Sequence, residues 1–543
     1  MMKSHIMKLL CWLLVALPLS RGSPLAANDI SANQFSNPII YSDFPDNDVF
    51  LGPDGAYYFS ASNFHYSPGA PILKSEDLVN WDLIGHSIPR LTFGDNYDLP
   101  ANGSGKGNEY RGGTWASSLR YRESNGLWYW IGCTNFWVTW VFTATSPEGP
   151  WTNRGAMSWE GVCMYDNGIL IDDDDTMYVV FGSNNVRVAQ LNPEGTTYAQ
   201  IQSVFNHTDV GAEGLEGNRM YKINGTYYVL NDQPGGTTYI WRSESPWGPY
   251  KSKILVQNIS PPINGGSSPH QGSLIRTKGG DWYYMSFTWA YPAGRLPVLA
   301  PITWGDDGFP VFVKGSNGGW GASYPLPDGG SEPTKNWDRV DTFAGPSLHP
   351  SWEWNHNPDV NSYLVNNGLT LKTASVTDDI YFARNTLTHR THGEFPVGTV
   401  LIDYSNMLPG DRAGFAAFRD QTSYIAIHRA GNDYSLVAVH GIITDEYGSG
   451  VTQSLGEMKQ TLSIPTGQTK VWLRMELDTR PDGTRDCVFL YSFDGEDFVV
   501  FGPTYTLYSG WAWFLAYRFG IFNFATEALG GSIKVESFSA ASA

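Results

Sequence analysis

Residues 54–59 read D-G-A-Y-Y-F, a turn dipeptide followed at once by an alternating aromatic run. Asp-Gly and Asn-Gly are the preferred two-residue hairpin turns, because both central positions need positive φ. The run that follows has the period of a half-buried strand. The same unit returns as N-G-L-W-Y-W at Asn125, D-D-T-M-Y-V at Asp174, N-G-T-Y-Y-V at Asn224 and G-G-D-W-Y-Y at Gly279. Its second turn residues, at 55, 126, 175, 225 and 280, lie 71, 49, 50 and 55 residues apart. Five sheet units at roughly fifty-residue spacing predict a five-bladed β-propeller. A second echo supports the blades: S-P-E-G-P-W ends at Trp151 and S-P-W-G-P-Y at Tyr250, with Gly149 and Gly248 each 23 residues beyond a turn glycine.

Upstream of each turn the preceding strand should run nearest the propeller axis. Asp46, Asp166 and Glu216 each lie nine residues before a second turn residue, in blades one, three and four. Trp115 and His270 fall close to that position in blades two and five, 11 and 10 residues before their turns. Equivalent positions converge on one end of the central channel, so these side chains are expected around one pocket. Three converging carboxylates repel one another and weaken a purely structural core, which favours a functional reading. Glycosidic hydrolysis gives each acid a use. One carboxyl protonates the leaving oxygen and another activates water from the opposite face, about 6.5–9.5 Å away in an inverting enzyme. A third carboxylate near the acid raises its pKa.

Outside the repeat, 543 residues suggest two domains or three. Thirty-five basic against 53 acidic residues give −18, which disfavours nucleic acid as a partner and suits a neutral polymer. Lys3, His5 and Lys8 precede an apolar run from Leu9 to Leu19, read as a secretory signal peptide over residues 1–27. The aromatic stretch Trp511 to Phe524 is interrupted by Arg518 and Asn523 and reads as strands, so no membrane span is expected. Sequons at Asn102, Asn206, Asn224 and Asn258 fit a secreted, extracellular glycoprotein. Cys133 and Cys163 can pair in an oxidising compartment, leaving Cys487; three buried thiols are the alternative. No zinc spacing is present. The run Asp172 to Asp175 looks like a calcium motif but occupies the blade-three turn, where a solvated hairpin is the simpler reading.

These motifs together resemble glycoside hydrolase family 43. N-P-I-I-Y with P-D-N-D-V-F resembles the opening strand whose Asp is the general base, which implies that role for Asp46. The neighbours Asp48, placed by alternation on the same strand face, and Asp43 are alternatives. S-N-F-H-Y-S-P-G-A-P-I and T-W-A-S-S-L-R-Y imply pocket roles for Phe64 and Trp115. Y-D-N-G-I-L implies Asp166 as the residue that modulates the acid's pKa, and L-E-G-N-R-M-Y-K implies Glu216 as the general acid. P-H-Q-G-S-L and G-R-L-P-V-L-A-P-I-T-W carry the resemblance to His270 and to Arg295 as a sugar-binding arginine. Tyr165 adjoins Asp166 and is a further pocket candidate, although strand alternation points neighbours to opposite faces. Asn218 and Arg219 stand where the family commonly has Pro-His, a change expected at the pocket rim. No cofactor is required, but the resemblance allows a structural calcium at the propeller axis, with His270 as its ligand.

The fivefold register stops after Asp328. Short alternating segments from Asp341 onward, including L-T-L-K and V-F-L-Y-S-F-D-G-E-D-F, read as a β-sandwich. The expected division is a catalytic propeller over 28–335 and a sandwich over 336–543, resembling the jelly-roll domain of the long family-43 enzymes. The expected activity is that of an inverting exo-glycosidase releasing pentose from arabinoxylan or xylooligosaccharides: an α-L-arabinofuranosidase, or alternatively a β-xylosidase. A non-catalytic carbohydrate-binding propeller is the alternative of another class. The sequence leaves open the oligomeric state and whether the sandwich shapes the pocket.

Overall fold

The computed structural model describes residues 33–99, 108–157, 159–327, 329–331, 334 and 337–542. The signal peptide, Asn102 and the domain boundary at 335/336 lie outside them. Five four-stranded antiparallel sheets cover residues 48–88, 114–157, 168–206, 216–257 and 270–312. Their first strands, Asp48–Leu51, Thr114–Arg122, Gly168–Ile171, Glu216–Ile223 and His270–Arg276, touch one another in ring order, and the fifth touches the first. This is a closed five-bladed propeller. Among the described residues helix is confined to three short 3-10 turns.

The turns that revealed the blades are more varied than their dipeptides suggested. Only in blade four do two residues join the strands, with Asn224 at φ 51° and Gly225 at φ 81°. Blades one, three and five use five-residue loops. There Gly55, Asp175 and Gly280 carry the positive φ, and their N–H groups bond to the carbonyls of Gly52, Asp172 and Thr277. A turn of the type I kind followed by one left-handed residue closes such loops as well as a two-residue turn does. The second echo is structural: Trp151 Nε1 donates to Pro147 O at 3.1 Å, and Tyr250 Oη to Pro246 O at 3.0 Å.

The ring is fastened where its ends meet. Gln34–Ser36 pairs with Ser323–Pro325. The Asn37 side chain donates to the carbonyls of Leu299 and Gly321 and accepts the Leu299 N–H. The segment that enters blade one is thereby tied along blade five.

The second domain packs a nine-stranded against an eight-stranded antiparallel sheet around Trp352, Phe415, Phe489 and Phe538. The two domains are not cleanly separable. Tyr66–Ser67, from blade one, is itself the eighth strand of the smaller sheet, pairing with Trp354–Asn355. One apolar cluster spans both, packing Phe64, Tyr66 and Tyr110 with Tyr381, Phe418 and Trp513. Beneath it, Glu353 is clasped by Arg390 and Arg518, and both guanidinium groups donate to Asn63 Oδ1, at 2.6 and 2.9 Å. Fully buried and doubly paired, the Glu353 carboxyl is held well below the usual range by these two cations, against the opposing cost of burial.

Candidate active site

The inner strands begin with a recurring kink. Asp46, Asp166, Gly217 and Gln271 all have left-handed φ, at 60°, 45°, 68° and 57°. Asn47, Asn167 and Asn218 follow the first three and are wholly buried. By this pattern Asp46 and Asp166 are equivalent, while Glu216 sits one residue earlier, in register with Tyr165 and His270. The common count of nine to the turn is therefore not a common structural position, because the blade-four hairpin differs in length. The kink also defeats strand alternation: Tyr165 and Asp166 both line the pocket. Asp46 and Asp48 part company for the same reason.

All eight residues singled out in the sequence line one cavity of about 350 Å³: Asp46, Phe64, Trp115, Tyr165, Asp166, Glu216, His270 and Arg295. Asp46 is clamped through both oxygens, Oδ1 by Arg295 Nη1 at 2.8 Å and Oδ2 by Ser62 Oγ at 2.6 Å. The alternatives for its place are otherwise engaged. Asp48 is buried against Arg120 at 2.7 Å and Arg219 at 3.3 Å. Asp43 accepts the N–H groups of Arg295 and Ala516. Arg219 is no rim residue; it is fully buried and donates to the carbonyls of Asp46, Asn47, Asn167 and Asn218. Asn218 is equally buried, donating to Asp166 O and Gly182 O.

Electrostatics separates the acids. Burial, then the neighbouring charges of Asp166 and Asp46, push Glu216 up to about 8. Burial and the Asp46 charge push Asp166 up to about 7, opposed by the Gly217 N–H bonded to its Oδ2 at 3.0 Å. Tyr165 Oη donates to Glu216 Oε2 at 3.3 Å. A protonated carboxyl and a clamped carboxylate thus face one cavity, which is the arrangement acid–base hydrolysis needs.

Two measurements follow. The Asp166 carboxylate raises Glu216, so Asp166→Asn should move the alkaline limb of kcat/KM to lower pH; an unmoved limb in an active variant removes Asp166 from that role. Glu216 binds its proton more tightly folded than unfolded, so its contribution to stability is full below about 4.5 and is lost as pH rises to about 8. Glu216→Gln should accordingly be more stable than the parent at pH 8, by at least about 1 kcal/mol, and similar to it near pH 4. Denaturant titration at the two pH values reads this directly.

The sequence did not mark the remaining wall. Trp289 comes from blade five, and Trp511 and Phe514 from the sandwich. Phe514 stacks on Phe64 with centroids 6.0 Å apart, and its carbonyl accepts Arg295 Nη2 at 3.4 Å. Phe136 packs edge-on against Trp115 at 4.1 Å and stacks on Tyr165 at 5.4 Å. The Cys133–Cys163 disulfide forms and ties the two segments that carry these rings. His270 is buried, which lowers its pKa, and it is bonded through Nδ1 to Ser268 O at 2.9 Å and flanked by Phe287 and Trp289. Among the described residues no three His, Cys, Asp or Glu are grouped to hold a metal ion. These side chains do not by themselves form the oxygen-rich cage that calcium takes. The Asp172–Asp175 run is a hairpin whose acids pair with Lys222 and Arg122 of adjacent blades.

The sequence model of glycosyl hydrolases family 43 matches residues 35–310, and that of the beta xylosidase C-terminal concanavalin A-like domain matches 340–540. The chain belongs to glycosyl hydrolases family 43. A beta-xylosidase of Formosa agariphila is 28% identical over 93% of this chain and 90% of its own length. A non-reducing end alpha-L-arabinofuranosidase of Bacteroides ovatus is 31% identical over 65% of this chain and 66% of its own. A solved family-43 structure, described as an active-site-engineered enzyme with both endo-xylanase and exo-arabinofuranosidase activity, superposes with a TM-score of 0.88. It shares 41% identity and covers 94% of this chain and 99% of its own. The chain is thus a glycoside hydrolase in which the propeller is followed by a concanavalin A-like sandwich domain.

Proposed function

We propose that the protein is an inverting, exo-acting α-L-arabinofuranosidase that removes arabinose branches from arabinoxylan. The observation that carries this reading is the shape of the site. The acids lie in a cavity of about 350 Å³ walled by aromatic rings from both domains, room for a terminal sugar rather than a continuous chain. The exposed Trp511 lines the cavity, and the exposed Phe136 packs on the lining residues Trp115 and Tyr165, so both rings are suited to stack on the polymer that bears the branch. The 41% identity to a structure with exo-arabinofuranosidase activity supports the sugar chosen.

In this mechanism Glu216 protonates the glycosidic oxygen while Asp46, held by Ser62 and Arg295, takes a proton from the attacking water. Asp46 belongs to blade one and Glu216 to blade four, two steps apart round the ring, which leaves space for sugar and water between them. One displacement then inverts the anomeric carbon without a covalent intermediate. The Cys133–Cys163 disulfide fits the secreted, oxidising setting that the N-terminal sequence suggests. Asn224 and Asn258 are exposed and open to glycosylation.

The test is product analysis on arabinoxylan and on linear xylooligosaccharides, with proton NMR of the nascent sugar before mutarotation. Arabinose of inverted configuration is expected. Xylose from the linear substrate, with arabinoxylan untouched, would replace the assignment by β-xylosidase, the name several relatives carry. Retained configuration would falsify the roles given to Asp46 and Glu216.

A further inference from the structure

A fourth carboxyl lies against the catalytic group. Asp232 is on the second strand of blade four, directly opposite Glu216 in the antiparallel pairing. Opposed residues of such a pair present their side chains on the same face. Glu216 reaches the cavity, whereas Asp232 stands behind it with no solvent exposure. Both of its carboxylate oxygens are buried, and neither has a hydrogen-bond partner among the described residues. Buried unsatisfied polar groups are rare in native proteins and call for a cause.

The backbone is shaped to admit this group. A Cβ on Gly217 would stand 2.5 Å from Asp232 Oδ1 and 2.5 Å from Gln271 Cγ. Gly217 already holds a left-handed φ and gives its N–H to Asp166 Oδ2. The main chain of the acid is therefore flanked by Asp166 on one side and Asp232 on the other.

Counting cations shows which form Asp232 takes. Arg295 is bonded to Asp46, and Arg219 is spent on four carbonyls and on Asp48, which Arg120 also holds. Asp166, Glu216 and Asp232 share no cation of their own. Burial, then the charges of Glu216, Asp166 and Asp46, hold Asp232 well above the usual carboxylate range, against the pull of Arg219. Among the described residues the neutral groups beside it include Thr238, opposite in the next strand, Gln271 of blade five, which flanks Gly217 together with Asp232, and Tyr284 of blade five, whose own proton is held tightly by burial. Burial without a cation favours the protonated form of Asp232, in which it is a donor, and the acid opposite it in the strand pairing is Glu216.

We propose that Asp232 is a positioning residue for the proton donor, giving a hydrogen bond to the Glu216 carboxylate that remains once the leaving oxygen has taken the proton. The inference rests on Glu216 being the general acid. No covalent bond forms or breaks at Asp232; the proton that moves is that of Glu216, and Asp232 steadies the charge left behind.

Two variants test it: Asp232→Asn, which keeps a donor, and Asp232→Val, of similar volume and without one. Each is assayed on arabinoxylan and on 4-nitrophenyl α-L-arabinofuranoside, whose leaving group needs little acid help. The Asn variant should stay within about threefold of the parent on both substrates, with its alkaline limb unmoved. The Val variant should lose about 10–100-fold on arabinoxylan and under about fivefold on the aryl glycoside. Its alkaline limb should move to higher pH, because the glutamate anion has lost a donor. Equal losses on the two substrates overturn the proposal. So does an Asn variant reduced 100-fold or shifted to lower pH, and that arm stands even if the Val variant fails to fold. Glu216→Gln run alongside separates the two readings. If it shows no leaving-group dependence, the acid assignment fails; if it shows one and Asp232→Val does not, only the role of Asp232 fails.

Discussion

Asp46→Asn is expected to lower turnover on arabinoxylan about 10²–10⁴-fold while leaving the fold intact. The amide has the size of the carboxylate and can still accept from Arg295, so the clamp loses little shape. It cannot take a proton from water, and that is the function removed. A second consequence compounds the first. The Asp46 charge helps to raise both Asp166 and Glu216, so neutralising it also lowers the acid's hold on its proton. Turnover and the melting temperature should be measured together. Turnover within tenfold of the parent, in a variant that melts normally, would move the base away from Asp46.

The second large effect is expected from removing the sandwich. A propeller ending near residue 331 would lose Trp511 and Phe514 from the pocket wall and the carbonyl that holds Arg295. It would also leave Tyr66–Ser67 without its partner strand, and Asn63, next to pocket residue Phe64, without Arg390 and Arg518. Tyr66, Leu99 and Tyr110, now buried in the cluster that spans both domains, would face water. Fully burying side chains of this size contributes about 1.5–3 kcal/mol each, a loss comparable with the net stability of a whole domain. The truncated chain should yield no soluble, active propeller, as judged by soluble yield, circular dichroism and hydrolysis. A soluble fragment with activity within tenfold of the full chain would show that the sandwich is dispensable.

The propeller was legible because its signal is local and repeated: each aromatic strand follows its own turn. That the three acids share one pocket was legible for a related reason, since each stands at or just ahead of the start of an inner strand. What stayed hidden depends on distance along the chain or on backbone handedness. Phe514 meets Arg295 across 219 residues, and Ala516 meets Asp43 across 473, separations to which no periodicity speaks. Alternation argued against Tyr165 as a pocket residue because it assumes extended backbone, and Asp166 at φ 45° breaks that assumption. Asn218 and Arg219 were expected at the rim because they directly follow the acid, where the family commonly has Pro-His. The structure buries them among orphan carbonyls that only such donors can satisfy. Asp232 had one unused signal, as the only charged residue in the largely buried strand T-Y-Y-V-L-N-D-Q.

The short strand that blade one lends to the sandwich has a consequence for how the chain is made. Tyr66–Ser67 leaves the ribosome early, but the segment it serves follows far behind: Ser67 bonds to Asn357, 290 residues later. Domains usually fold in the order of their synthesis. Here the first blade carries an unfinished edge through the synthesis of all the others. The propeller's completion therefore waits on the end of translation, and the pocket acquires its last wall only when the whole polypeptide is free. Joining this propeller to a foreign partner would break both the shared edge and the pocket wall.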